Sequence, residues 1–380
     1  MNNRTSLVSL KRQSAYTLDI QIRKGEKITG GFGKTFYKAE WINEKYSPIV
    51  LLEMRGNKAT NEALLYITLD HPHIIKTYGL VESNGHGISS DSLLLLQEYA
   101  EDGDLGRLLN AKYFIPSQYV FLEIFIQISN AMIYLSENGI IHGDLACRNA
   151  LVFQSHPYEP KKNLVKLIDF GLTRDDSIPL NVKIDIPIRY VAPEILRSQG
   201  RLNYSQKSEV YSFGVLMWEA CSFGEIPYVD INDDEDVCQE KLQGNKLLRP
   251  KKCDPNIWKL MNICWNDRSY DRPNFEIIHK QLKNIQNIQS SSSSSLSNSM
   301  LSSSRTIEDN PCLFKIEYET CHDCGLRYTD EDSHLNKCNG QKLTCFQCGE
   351  QYQHEIYDNH IKTCGLSTNP IIISHNGIVV

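Results

Sequence analysis

The run His142-Gly143-Asp144-Leu145-Ala146-Cys147-Arg148-Asn149, followed twenty residues later by Asp169-Phe170-Gly171, constrains this chain more than any other stretch. Three further segments come after it in fixed order: Pro187-Ile188-Arg189-Tyr190-Val191-Ala192-Pro193-Glu194, Ser208-Glu209-Val210-Tyr211-Ser212-Phe213-Gly214, and Arg272-Pro273. An isolated HxD or DFG is a chance loop, but several ordered motifs reduce that risk. In the first two segments a carboxylate, a carboxamide and a second carboxylate are spaced for phosphoryl transfer. One orients an attacking hydroxyl, and the other two hold a divalent cation against phosphates. Asp144, Asn149 and Asp169 fit those three roles.

These motifs resemble the protein kinase family, over roughly residues 20-285. The resemblance implies an α+β, two-lobed kinase fold: a small antiparallel β-sheet lobe over a mainly helical lobe, with ATP and Mg2+ between them. It makes Asp144 the catalytic carboxylate, Asn149 and Asp169 the magnesium ligands, and Glu62 the carboxylate of the helix in the small lobe. The strand Leu94-Leu95-Leu96-Gln97-Glu98-Tyr99-Ala100 becomes the hinge, where Gln97 is the gatekeeper and backbone near Glu98 and Ala100 meets adenine. Arg272 is expected to pair with Glu194. Because Asp144 is followed by Leu145-Ala146 and then Arg148, rather than by a lysine two positions on, the loop resembles that of tyrosine kinases. The acceptor is therefore a protein substrate, with tyrosine preferred over serine or threonine.

Two departures bear on activity. The third-strand lysine of kinases falls on Leu52, within Ile49-Val50-Leu51-Leu52-Glu53-Met54. The glycine segment Thr29-Gly30-Gly31-Phe32-Gly33-Lys34-Thr35-Phe36 fits the usual pattern only with a gap. Without one, Lys34 takes the third glycine position, an arrangement similar to the "with-no-lysine" kinases. Gly30, Gly31, Gly33, Lys34 and Phe36 are then candidate nucleotide contacts. Lys34 and Phe36 share one face by the two-residue strand period, and Lys38 is the weaker substitute. The alternative is a pseudokinase scaffold that binds nucleotide or partners without efficient transfer. Gly143 replaces the arginine that receives an activation-loop phosphate, and no tyrosine lies between Gly171 and Arg189. Both halves of that switch are thus missing. Glu209 stands where an aspartate is usual, lengthening the arm that braces the catalytic loop.

Composition divides the rest. The Ser-rich run within 286-310 cannot bury enough surface to offset its ordering entropy, so it predicts a flexible linker. Beyond it, Cys321, Cys324, His334 and Cys338 follow C-x2-C-x9-H-x3-C, and Cys345, Cys348, His360 and Cys364 follow C-x2-C-x11-H-x3-C. Two sets of three thiolates and one imidazole predict two Zn2+ sites over 311-366. The spacing resembles the zinc fingers of tumour-necrosis-factor-receptor-associated factors, which implies a protein partner for this module. From Pro311 onward five Lys/Arg face nine Asp/Glu, and the net charge is -6. Nucleic acid is disfavoured on that balance. Neither a signal peptide nor a membrane span is evident, and thiolate ligands suit a reducing compartment, so the expected location is cytoplasmic.

Overall fold

The computed structural model describes residues 16–31, 33–42, 48–56, 59–82, 92–111, 113–169, 186–198 and 204–298, and beyond them six short strands between 319 and 379. Two compact units result, divided between Ser299 and Met300.

The first unit opens on a six-stranded sheet built from β1 (Tyr16–Thr17), β2 (Ile22–Gly31), β3 (Lys34–Trp41), β4 (Ile49–Arg55), β5 (Thr77–Glu82) and β6 (Ser92–Glu98). Its spatial order is β1-β5-β6-β4-β3-β2. All neighbours are antiparallel except β1, which runs parallel to β5, so the expected antiparallel sheet carries one parallel edge and reaches upstream to Tyr16. β4 and β6 are central and nearly all buried, each around a run of consecutive apolar residues, because both of their faces are covered. Strand alternation sorts their side chains. Leu52, Met54, Leu93 and Leu95 face the main core with helix α1 (Ala59–Thr68), while Ile49, Leu51, Leu94 and Leu96 close a second cluster with Leu18, Ile22 and Val81.

The helical part contains α2 (Leu105–Asn110), α3 (Gln118–Glu137), α4 (Pro193–Arg197), α5 (Gln206–Cys221), α6 (Asp234–Leu242), α7 (Pro255–Cys264) and α8 (Phe275–Asn298). By length and composition α3 could cross a bilayer, but it is mostly buried inside the protein and packs against α8. Asn138 and Gly139 end it, with Gly139 at φ 68°. The capping pair Ser205 and Ser208 starts α5, which is buried from Ser208 to Cys221. At its middle, a Cβ on Gly214 would meet Trp265 Nε1 at 2.6 Å, so no larger residue allows α5 and the Trp265 indole to approach this closely. The expected linker begins inside a helix: α8 continues through 286–298 before the division between the units. Serine is only moderately unfavourable in helices, and extension from a formed helix avoids a second nucleation cost.

One small hairpin places the chemistry. β7 (Ala150–Gln154) pairs with β8 (Leu164–Leu167), Ala150 opposite Leu167. Asn149 therefore ends one side and Asp169 follows the other, tied by the Ile168 N–H bond to Asn149 O at 2.9 Å.

In the second unit, β9 (Glu319–Thr320) pairs with β10 (Arg327–Tyr328), and β11 (Lys342–Thr344) with β12 (Gln351–Gln353). A last ribbon joins β13 (Ile372–Ser374) to β14 (Gly377–Val379). The residues between these strands, including every candidate zinc ligand, lie outside the described residues.

Candidate active site

A cleft of about 590 Å³ is lined by Ile28, Thr29, Lys34, Phe36, Val50, Gln97, Glu98, Ala100, Leu151 and Asp169, among others. That size suits a small-molecule or cofactor site. Its roof is the β2–β3 hairpin, in which Gly31 pairs with Lys34, Gly30 with Thr35 and Thr29 with Phe36. The segment expected to be a glycine loop is thus a hairpin paired as far as Gly31 and Lys34. Gly33 is required there by φ 79° and by the Arg55 carbonyl, 3.0 Å from where a Cβ would stand. Thr29 and Ile28 line the cleft, whereas Gly30, Gly31 and Gly33 are not among its lining residues.

Lys34 is the first residue of β3, and its ammonium lies 2.5 Å from Glu62 Oε1 and 2.6 Å from Asp169 Oδ1. Glu62 is brought there by α1, whose buried residues Ala59, Glu62, Ala63 and Tyr66 follow helical spacing. Burial opposes the charge on Lys34, but the Asp169 and Glu62 carboxylates outweigh it and the pKa is raised. The amine therefore stays charged at neutral pH. Leu52, where the resemblance expects a lysine, is wholly buried between Phe36 and Leu95 across the ladder. Lys38 instead pairs with Glu26 on the exposed side of the hairpin.

The loop from His142 to Asn149 is held from beneath by α5. Glu209 accepts the backbone N–H groups of His142 at 2.9 Å and Gly143 at 3.1 Å. Glu219 accepts Cys147 N–H at 2.9 Å and the Tyr190 hydroxyl at 3.1 Å. Burial raises the pKa of both carboxyls against these donors, that of Glu209 to about 7. His142 is fully buried with its pKa lowered by desolvation. Its Nε2 bonds to Ile168 O at 3.0 Å, and Asp144 N–H approaches Nδ1 at 3.3 Å. These contacts suit a neutral imidazole with its proton on Nε2. Above this floor, Asn149 Nδ2 donates to Asp144 Oδ2 at 2.8 Å and to Asp144 O at 2.6 Å. Arg148 is hydrogen-bonded to Asp144 and lies over the Tyr190 ring.

At the hinge, Gln97 is buried and donates to Thr77 Oγ1 at 3.0 Å. The Glu98 carboxylate is taken up by Lys166, 2.7 Å from each oxygen, and by Lys76 N–H at 2.6 Å. Its side chain is thereby fixed by charge, which a sequence reading limited to backbone contacts at the hinge misses. Buried Ala100 also lines the cleft. The expected partner of Glu194 is in place: Arg272 makes a two-pronged bridge of 2.6 and 2.9 Å.

The sequence reading also missed Glu219, Lys166, Val50, Leu151 and Tyr66. Single apolar residues on strands carry no motif. Tyr66, four residues beyond Glu62 on the same helical face, could have been found from the period of α1.

The structure thus brings together Lys34, Glu62, Asp144, Arg148, Asn149 and Asp169. The donors available to a magnesium ion are carboxylate and carboxamide oxygens, the hard ligands it prefers. With both Asn149 amide contacts made through Nδ2, its oxygen remains for a cation. Two carboxylates around one ammonium leave the Lys34 cluster one negative charge in excess, which also suits a cation.

Comparison with known proteins agrees with this geometry. Residues 29–282 match the protein tyrosine and serine/threonine kinase family. Tyrosine-protein kinase SYK of Gallus gallus is 32% identical over 284 residues, covering 70% of this chain and 43% of that protein. Tyrosine-protein kinase Btk of Drosophila melanogaster is 33% identical over 226 residues, covering 58% of this chain and 27% of its own length. The BDNF/NT-3 growth factors receptor of Gallus gallus is 31% identical over 290 residues, covering 70% and 33%. The chain spans less than half the length of each of these relatives.

Proposed function

The chain belongs to the protein tyrosine and serine/threonine kinase family, and from that premise we propose that it transfers the γ-phosphoryl group of ATP to a protein hydroxyl, tyrosine before serine or threonine. The observation that carries this reading is the Lys34 ammonium, set between Glu62 and Asp169 inside the nucleotide cleft. It supplies the charge that Leu52 cannot, so of the two features that favour a non-catalytic scaffold, Leu52 and Gly143, the first loses its force. Bound magnesium would neutralise and orient the phosphates, held by Asn149 and Asp169. Asp144 orients or deprotonates the acceptor hydroxyl. Arg148, fixed by Asp144 and the Tyr190 ring, together with relatives that are tyrosine-protein kinases, supports tyrosine as acceptor.

The tail is assigned two structural zinc sites and a protein-binding role. Support comes from the ribbons around its cysteines. Thr320 pairs with Arg327 and Thr344 with Gln351, so both segments of six residues between the pairs carry cysteines at their first and fourth positions. Equal closures in the two repeats suit metal-binding turns. We place this protein in the cytoplasm, where thiolates stay reduced.

The test is transfer of labelled phosphate from magnesium-ATP to a glutamate–tyrosine copolymer. Lys34→Met should lower the rate at least about a hundredfold, as expected when a preorganised charge facing the phosphates is lost. Lys34→Arg, which keeps the charge, controls for folding. A Lys34→Met protein as fast as the parent would eliminate the relocated lysine, and a parent that transfers nothing would remove the enzymatic reading.

A further inference from the structure

Asp169 has φ 67°, a left-handed conformation that is uncommon outside glycine and that an aspartate adopts more readily than most residues. Something must hold it, because its carboxylate is aimed by that backbone turn. Its N–H donates to the Tyr66 hydroxyl at 3.0 Å. Tyr66 is only 3% exposed, lines the nucleotide cleft, and belongs to the main core through its ring. It lies one helical turn beyond Glu62 on the same buried face of α1. Helix α1 therefore reaches Asp169 by two arms. One runs from the Glu62 carboxylate through Lys34 to the Asp169 side chain, and the other from the Tyr66 hydroxyl to the Asp169 backbone.

We propose that Tyr66 is a positioning residue for the metal-binding aspartate: its hydroxyl locks Asp169 in the left-handed turn and so presets the carboxylate for the magnesium–nucleotide complex. The two arms do different work. An ion pair fixes where the carboxylate head lies but tolerates rotation of the peptide behind it, whereas a bond to the N–H fixes the peptide itself. A buried phenol is needed for the second task. An aliphatic residue of similar size would fill the same space and leave the amide without this acceptor. The device also suits a chain with Gly143 in place of the phosphate-reading arginine, since the turn is held from α1 and not from a loop modification. This inference rests on the kinase reading for the role of Asp169, but not for the existence of the bond.

The experiment uses the full chain in two arms. Hydrogen–deuterium exchange on the nucleotide-free parent should show the Asp169 amide protected. In Tyr66→Phe, which removes one oxygen and keeps the ring, that amide should exchange roughly three- to tenfold faster, the range set by one net hydrogen bond. The magnesium concentration giving half-maximal binding of a fluorescent ATP analogue should rise by a similar factor. Binding without magnesium should change little, and the melting temperature should fall by no more than about 2–6 °C, the loss of that one bond. A merely space-filling Tyr66 would leave the magnesium dependence where it was. An unprotected Asp169 amide in the parent, or a Tyr66→Phe protein with unaltered magnesium dependence, overturns the proposal. Because neither arm measures turnover, a parent without transfer activity would defeat the kinase reading alone.

Discussion

Glu209 offers a test in which stability reports on the floor of the active site. Its carboxyl is wholly buried and accepts two backbone N–H bonds, yet burial dominates and its pKa rises from 4.5 to about 7. A folded-state pKa above the unfolded value means the folded protein holds the proton more tightly. Stability from this group is therefore fully present below about pH 4.5, declines as pH rises through the interval, and is lost above about 7. The size of the rise corresponds to about 3 kcal/mol, with no discount for solvent screening because the group is fully buried. In Glu209→Gln the titration is absent. The difference in melting temperature between parent and variant should therefore change by roughly 6–12 °C between pH 4.5 and 7.5, at about 2–4 °C per kcal/mol for a unit of this size. The parent should lose ground as pH rises. Calorimetry of both proteins across that range provides the measurement. Parallel melting curves, with a difference independent of pH, would refute the claim that Glu209 titrates in the folded protein near neutrality.

Arg272→Leu should cost about 3–5 kcal/mol, because it leaves the Glu194 carboxylate and the carbonyls of Asn266 and Lys207 without their buried guanidinium. Denaturant unfolding should show the double variant Arg272→Leu/Glu194→Leu to be less damaged than the single one. Metal analysis of reduced protein should find two zinc ions per chain, and Cys348→Ser should release one of them while the kinase unit melts as before. A reading well below two in the parent would refute the tail assignment.

Much of this site was legible because its chemistry is sequential. Asp144 and Asn149 lie on one loop, and Asp169 follows from the hairpin that closes it, so spacing alone announced that they come together. The placement of Lys34 was legible for a different reason: a missing charge at Leu52 and a gained one on the same sheet are both visible in the letters, and strand alternation says which way Lys34 points. Glu219 and Lys166 were not legible, since each meets its partners through packing of elements 29 to 72 residues apart in sequence. The parallel edge strand at Tyr16–Thr17 and the continuation of α8 into the serine run are likewise tertiary outcomes. Two paired residues make too short a periodic pattern to announce a strand, and serine composition alone does not say where a helix already under way will stop.

Lys34 is the first residue after the β2–β3 turn, on the same hairpin whose Thr29 and Phe36 roof the cleft. In the arrangement with a third-strand lysine, cover and charge belong to different strands, so the lid can lift while the cation stays. Here they form one lever. Any tilt of the hairpin that widens the entrance also withdraws the ammonium, which would couple the entry and departure of the proposed nucleotide to the dismantling of the electrostatic site.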